Sequence, residues 1–362
     1  MRSQVIALGS TTRRNRIGRA FSLWMTAREA GLRFCYIGID DGPLWEPLRE
    51  HQEFRSDIRV ATDMADLERK VAAELGPDSV LMVCKPRPEL LPLSRKLARS
   101  VPVVVDIDDP ELEVGWGTTN VRSRVALVAR YGPSRFRFGR AKRTVKKMHV
   151  ITSSPMLHTL YGGEIVPHVR DAVARRTPDD RDDAPFTVGF VGTPRLHKGI
   201  DEVRAAIGAL AARRAIRLCI TAPPPHDPQP WEEWVGATSM EKGLRLLEGC
   251  DAAAIVSRPG PWGDLQVPVK LIDAMHAGVP TVITPRAPLL WAAGGSSIVV
   301  PDDCVSELSN ALTQLADDRT LANALRTAAE RRARALFTPA AAAPHLLEAI
   351  HGAEADHHRA QT

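Results

Sequence analysis

Short, nearly continuous apolar runs alternate along this chain with longer stretches in which apolar residues recur every third or fourth position. The first kind reads as strands buried on both faces, the second as helices that cover them. In the first half the strand-like runs are "SQVIALGS", "RFCYIGID", "SVLMVCKP", "VPVVVDIDDP", "HVITSS" and "EIVPHVRD", with an amphipathic helix predicted from about Ile17 to Ala30. Residues 171–185, "DAVARRTPDDRDDAP", mix charge, proline and small residues without apolar periodicity, which is linker composition. The pattern then restarts with "FTVGFVGTPRLHKGIDEVRAAIGAL" and continues through "IRLCITAPP", "CDAAAIVS", "PTVIT" and "SIVV". The expected fold is α/β, with two doubly wound Rossmann-like domains over residues 1–170 and 186–337. A helix over residues 338–362 follows, free to pack back on the first domain and ending in a weakly structured "ADHHRAQT". His351, His357 and His358 belong to that frayed end and are not expected to hold a metal.

Composition narrows the class. A length of 362 residues suits two domains, and 44% hydrophobic with 25% charged residues is ordinary for a globular protein. No apolar run reaches the roughly 18 to 20 residues of a spanning helix. Neither a charged leader nor a small-residue cleavage site precedes the first strand, so a cytoplasmic location is expected, with peripheral attachment to the inner face of the membrane left open. The five cysteines are odd in number, widely spaced and free of any C-x-x-C pair, and read as buried thiols. Between Arg122 and Lys147 stand ten Arg or Lys residues and no carboxylate. That run reads as a solvated helical face, as a contact for an anionic membrane surface, or as a nucleic-acid contact. Few aromatics and no recognisable module weaken the last, so no nucleic acid is expected.

Three stretches carry candidate chemistry. In Val267 to Thr284, Pro268 suits a first helical position and Gly278 the residue past the helix end. Lys270 and Asp273 are three apart, which sets them side by side in the first turns. A helix start of this kind attracts an anion such as phosphate. The polar loop "TTRRNRIG", with Asn15 and Gly18, follows the first strand at its carboxyl end, where open α/β sheets place ligands. Gly9 and Gly18 are too far apart for G-x-G-x-x-G, so Asp40 and Asp41 are poor candidates for reading a cofactor ribose and no nicotinamide cofactor is expected. Asp106, Asp108 and Asp109 close another strand. So many carboxylates together read as a catalytic or sugar-binding cluster, or as a solvated turn in which Asp109 caps the next segment.

"VGFVGTPRLHKGIDEV", "CDAAAIVS" and "VPVKLIDAMHAGVPTVIT", in this order, resemble the C-terminal half of GT-B glycosyltransferases of the retaining group 1, family 4-like type. In the N-terminal half the resemblance rests on strand order, "DIDDP" and "VPHVRD". It implies two domains facing across a cleft, acceptor side first and nucleotide-sugar side second. Lys198 matches the lysine that binds the donor diphosphate, Arg195 stands in for an arginine where this chain has Thr193, and Asp273 matches the second of two glutamates, the one that bonds the ribose. The first glutamate falls on Leu265, which leaves Asp264 beside it to take over, and Pro268 falls where the family often has glycine, with Lys270 offsetting the lost N–H. Asp108 stands where many relatives have a sugar-proximal histidine, and Asp109 matches an aspartate that often follows it. "DID" also matches a metal-binding D-x-D, but that motif belongs to a different, single-domain fold.

The resemblance therefore implies a retaining, metal-independent, hexosyltransferase-type enzyme without cofactor. Asp108, Asp109 and Lys198 would be catalytic, and Arg195, Lys198, Asp264, Lys270 and Asp273 would bind the donor. The partners would be a nucleoside-diphosphate sugar and an acceptor of unknown identity. A nucleotide-sugar epimerase of the same fold and a non-catalytic donor-binding subunit are the alternatives.

Overall fold

A computed structural model of the chain describes residues 2–13, 15–39, 42–116, 134–171, 184–302 and 305–361. Asp40, Asp41, Cys304, residues 122–133 of the basic run and most of the expected linker lie outside them. The chain divides into two units, Met1–Val169 with Pro339–Thr362, and Arg170–Thr338.

The first unit is built on seven parallel strands. These are β1 (Gln4–Gly9), β2 (Arg33–Ile39), β3 (Ile58–Ala61), β4 (Ser79–Cys84), β5 (Val103–Ile107), β6 (His149–Thr152) and β7 (Glu164–Ile165), in the order β3-β2-β1-β4-β5-β6-β7. Every residue of β4 and β5 is buried, as continuous apolar runs require of strands covered on both faces. Cys84 pairs with Asp106 in register, so the chain leaves β4 and β5 at the same carboxyl edge. The order reverses between β1 and β4, the switch point where such sheets leave a crevice for ligands.

The second unit repeats the plan with β8 (Phe186–Phe190), β9 (Ile216–Ile220), β10 (Glu232–Trp234), β11 (Ala252–Ile255), β12 (Thr281–Ile283) and β13 (Ser297–Val299), ordered β10-β9-β8-β11-β12-β13 and all parallel. One apolar cluster packs Val203, Ile207, Leu308 and Leu312 against the sheet, and another packs Leu271, Met275, Leu289 and Phe337. Both units are thus doubly wound α/β. Only the edge strands β3 and β10 fall outside the expected set. Their mixed burial gives neither a continuous apolar run nor a clean alternation.

The helix in the Val267–Thr284 segment begins at Val269, one residue later than expected, with Pro268 extended at its N-cap. It ends as expected. Gly278 is left-handed at φ 64°, and the Val279 and Gly278 N–H groups bond to the Ala274 and Met275 carbonyls, which closes the last turn.

The chain's final segment differs from expectation. Pro339–Gln361 is one helix, including most of "ADHHRAQT", and it packs on the Ile17–Glu29 helix and on β5, β6 and β7. Ala342, Leu346, Ile350 and Ala353 bury one face. Arg2 pairs with Glu354 at 3.0 Å, and Asp356 pairs with His149 and Arg359, so the last turns are tied down.

Within the basic run, Ser134–Val145 is helical and exposes Arg137, Arg140 and Arg143, while Lys142 bonds Glu113 at 2.7 Å. Cys35, Cys84, Cys219 and Cys250 are buried free thiols. Burial pushes Cys35 and Cys219 up to about 11, which leaves them unreactive. No described helix is long and apolar enough to cross a membrane.

Candidate active site

In the second unit, the loop after β8 carries Thr193, Arg195 and Lys198. The Gly192 N–H donates to Thr221 Oγ1 at 2.7 Å, and a tight turn over Leu196–Lys198 is closed by the Lys198 N–H on the Arg195 carbonyl at 2.8 Å. Gly199 follows at φ 60° and starts the Ile200–Ala211 helix. A Cβ there would come within 2.4 Å of Val256 Cγ1, so only glycine lets this loop lie against the end of β11. From that side the Arg258 N–H bonds the His197 carbonyl at 3.0 Å, Arg258 Nε bonds Glu202 at 2.6 Å, and Trp262 stacks on His197 at 5.6 Å. Lys198 is therefore held on a pinned turn directly before a helix start.

Lys270 forms no ion pair with Asp273 among the described residues. It is 6% exposed, its Nζ stands 4.0 Å from the centre of the Phe190 ring, and that nitrogen has no hydrogen-bond partner among the described residues. Burial pulls its amine well below the ordinary value, and the charge of Lys198 pulls it further. The ring face favours the ammonium form. Burial dominates in the free protein because no carboxylate among the described residues offsets it.

Asp273 instead meets Arg170, whose Nε donates to Oδ1 at 2.7 Å. Oδ2 takes no hydrogen bond among the described residues, and the side chain keeps 17% exposure. The Arg170 N–H bonds the Phe337 carbonyl at 2.8 Å, and His276 Nε2 lies 3.0 Å from the same oxygen. Lys270 and Asp273 thus sit on one helix with different environments, the first turned into the core and the second to the chain entering this unit.

Asp264 is exposed and engaged locally. Its Oδ2 accepts from the Gly260 N–H at 3.0 Å, capping the short Pro261–Leu265 helix, and Oδ1 meets Arg286 at 3.2 Å. Arg286 is shared with Asp302.

In the first unit the three carboxylates after β5 separate. Asp106 is fully buried and receives Arg19 Nε at 3.0 Å and Nη2 at 2.7 Å on one oxygen, while Arg19 also bonds the Val166 and Pro167 carbonyls. That pair braces the sheet, so Asp106 does not belong to the expected cluster. Asp108 and Asp109 stay together on Lys85, whose Nζ is 3.0 Å from Asp108 Oδ2 and pairs with Asp109 as well. His168 Nε2 lies 3.6 Å from Asp108 Oδ2. Burial, followed by the Asp109 charge, pushes Asp108 up to about 8 against the pull of Lys85.

Arg16 in the first loop reaches Glu111 at 3.4 Å. The Asn15 carbonyl accepts the Gly18 N–H at 3.1 Å, and Gly18 is a helical residue whose Cβ would meet the Trp45 ring at 3.0 Å, a packing role.

Sequence reasoning missed Lys85, Arg170, His168 and Arg19. The visible signals were a lysine ending a buried strand just before Pro86 and an arginine on an otherwise apolar helix face. As for a metal, ligand atoms of Glu164, His345 and Glu348 lie within 4.8 Å of one another at the surface of the first unit. None of these residues belongs to the groups above.

Residues 185–318 match the family described as "Glycosyl transferases group 1". No curated protein matches the chain. Among solved structures, the chain is similar to Anabaena Alr3699/HepE in complex with UDP and glucose, with 16% identity and a TM-score of 0.69 over 97% of this chain and 100% of that one. Sucrose-phosphate synthase (tll1590) from Thermosynechococcus elongatus gives 14% identity and 0.69 over 98% and 100%. A glycosyltransferase from Rickettsia africae ESF-5 gives 12% and 0.65 over 97% and 98%. The two-sheet α/β fold is the one these proteins share.

Proposed function

We propose, for a chain whose residues 185–318 are a group 1 glycosyl transferase domain in a GT-B fold, that it moves a sugar from a nucleoside diphosphate to an acceptor hydroxyl with retention of configuration. The observation that carries this reading is the Lys270 amine, buried without an acceptor and within electrostatic reach of Lys198. Two lysines so placed repel until an anion joins them, and a diphosphate supplies that charge in the form cations bind best. The structures holding UDP or UDP-glucose make uridine nucleotides the first ligands to test. Asp273 Oδ2 is the acceptor left for the ribose hydroxyls, and Asp108 with Asp109 orients the reacting groups.

In this reaction the acceptor oxygen bonds to the anomeric carbon on the face the diphosphate leaves. The bond from that carbon to the β-phosphate oxygen breaks, and this oxygen takes the hydroxyl proton. Negative charge grows on the diphosphate while the sugar becomes oxocarbenium-like. Lys198, Lys270 and the N–H groups at Ile200 meet that charge where it develops. The lysines take the place of a divalent ion, and turnover lost in EDTA but restored by Mg²⁺ overturns that point.

Lys198→Ala is expected to lower kcat/KM for transfer by about 100-fold or more, the cost of removing one group aimed at transition-state charge. Near-normal turnover defeats the assignment. Donor consumed equally well without any acceptor favours the epimerase. The exposed Arg137, Arg140 and Arg143 suit an anionic membrane surface. Vesicle co-sedimentation indifferent to anionic lipid and to salt overturns that docking.

A further inference from the structure

Lys85 combines features that packing alone does not ask for. It is the one non-glycine residue with a positive φ among the described residues, at 56°. It precedes Pro86, which restricts its backbone further. It is also 6% exposed. Strain of this kind persists where the surroundings over-determine it, most often at functional sites. Here the turn keeps the ladder intact, because the Lys85 N–H still bonds the Asp106 carbonyl at 3.1 Å. What the turn achieves is the direction of the side chain, which leaves β4 and reaches Asp108 and Asp109 at the end of β5.

The carboxylates bear the mark of a second partner. Asp108 is 3% exposed, Oδ2 holds Lys85 at 3.0 Å, and Oδ1 has no hydrogen-bond partner among the described residues. A buried carboxylate oxygen without a donor is costly unless a ligand supplies one. The ligand chemistry is a hydroxyl, since a sugar or an acceptor alcohol offers many O–H donors.

We propose that Lys85 is a positioning residue, clamping Asp108 and Asp109 side by side and leaving Asp108 Oδ1 open to a substrate hydroxyl. This role rests on the sugar-transfer reading above. The charged groups facing the pair are Lys85 itself, Asp106 with Arg19, Glu111 and His168, with the Cys84 thiol nearby. Burial lowers the Lys85 ammonium but the Asp108, Asp109 and Glu111 carboxylates outweigh it, so it stays charged. Burial and the neighbouring Asp109 charge push the Asp108 carboxyl up to about 8. Without the Lys85 charge Asp108 holds its proton to higher pH.

Two variants separate charge from backbone. Lys85→Gly accepts the left-handed turn without strain and removes the amine, whereas Lys85→Arg keeps the charge. With UDP-glucose as donor, Lys85→Gly is expected to lose about 100-fold in kcat, the scale of a slight misplacement of reacting groups. The limb of its pH profile that reports the pair should move upward, with donor KM little changed. Lys85→Arg should recover most of the profile. If Asp108→Asn and Asp109→Asn both leave turnover untouched, the sugar-transfer reading of these residues fails. If they abolish it while Lys85→Gly matches the wild type in kcat and pH profile, the clamp alone fails. Should UDP-glucose not be turned over, ¹³C titration of the aspartate carboxyls in the full-length protein decides. An Asp108 signal titrating near 8 that moves up in Lys85→Gly supports the clamp, and an unmoved signal overturns it.

Discussion

Lys270→Met separates two effects that usually travel together. In the free protein the amine is 6% exposed and has no hydrogen-bond partner among the described residues. A buried polar group left unsatisfied costs about 1–3 kcal/mol. Methionine has similar length and no polar hydrogen, so the variant should recover that amount. For a domain of this size each kcal/mol raises Tm by about 2–4 °C.

Diphosphate binding should move the other way. A hydrogen bond to a charged group contributes about 1.5–3 kcal/mol, or about 10- to 150-fold in affinity. The free amine is pulled well below its ordinary value of 10.5 by burial and by Lys198. Between the lowered and the ordinary value the unfolded chain binds a proton that the folded chain does not. Stability therefore rises with pH across this window, and Lys270→Met should flatten the rise. UDP binding within the same window should take up a proton. Thermal unfolding with and without UDP, and calorimetry in buffers of different ionisation enthalpy, read all of these quantities. A Tm below wild type, or undiminished UDP affinity, refutes the reasoning.

Arg170→Ala should weaken UDP by about tenfold, about 1.4 kcal/mol, and leave inorganic pyrophosphate unaffected, because Arg170 orients Asp273 through a 2.7 Å bond and pyrophosphate has no ribose; parallel titrations check this. Gly199→Ala should cost more than about 1 kcal/mol and raise the donor KM, since the new methyl meets Val256 on the turn that carries Lys198; calorimetry and kinetics read the two effects. Arg19→Met should cost about 3–5 kcal/mol by leaving Asp106 buried and uncompensated, and Arg19→Met with Asp106→Leu should recover part of that loss in denaturant unfolding, the Val166 and Pro167 carbonyls still lacking their donor.

The central strands of both sheets could be read from the sequence because burial on both faces leaves an unbroken apolar signature, as in β4 and β5. Two of the four edge strands, β3 and β10, could not, since their few residues carry no unbroken apolar run. The site was half visible. Lys198 and Gly199 stand out through the resemblance, which matches them to the family's lysine before a glycine. Lys270 is legible as a cation at a helix start, but its burial is not. Helical spacing sets Lys270 near Asp273, and only the packing on Phe190 shows the amine buried. Lys85 left only a weak trace, a lysine between a buried strand and Pro86, because its left-handed backbone has no signature in a side chain other than glycine. Arg170 was hidden for another reason: its partner lies 103 positions away.

The Phe337 carbonyl, which accepts the Arg170 N–H and lies beside His276, has a consequence for biosynthesis. It marks where the second unit both begins and ends, so that unit is an insertion whose two ends lie one hydrogen bond apart. The first unit, by contrast, is discontinuous, and its Pro339–Gln361 helix emerges from the ribosome only after the whole insertion. The usual N-terminal-first order of synthesis-coupled folding is thereby inverted. The insertion has all its parts first, while the N-terminal sheet waits, with the surface for that helix uncovered, until Pro339–Gln361 has been made.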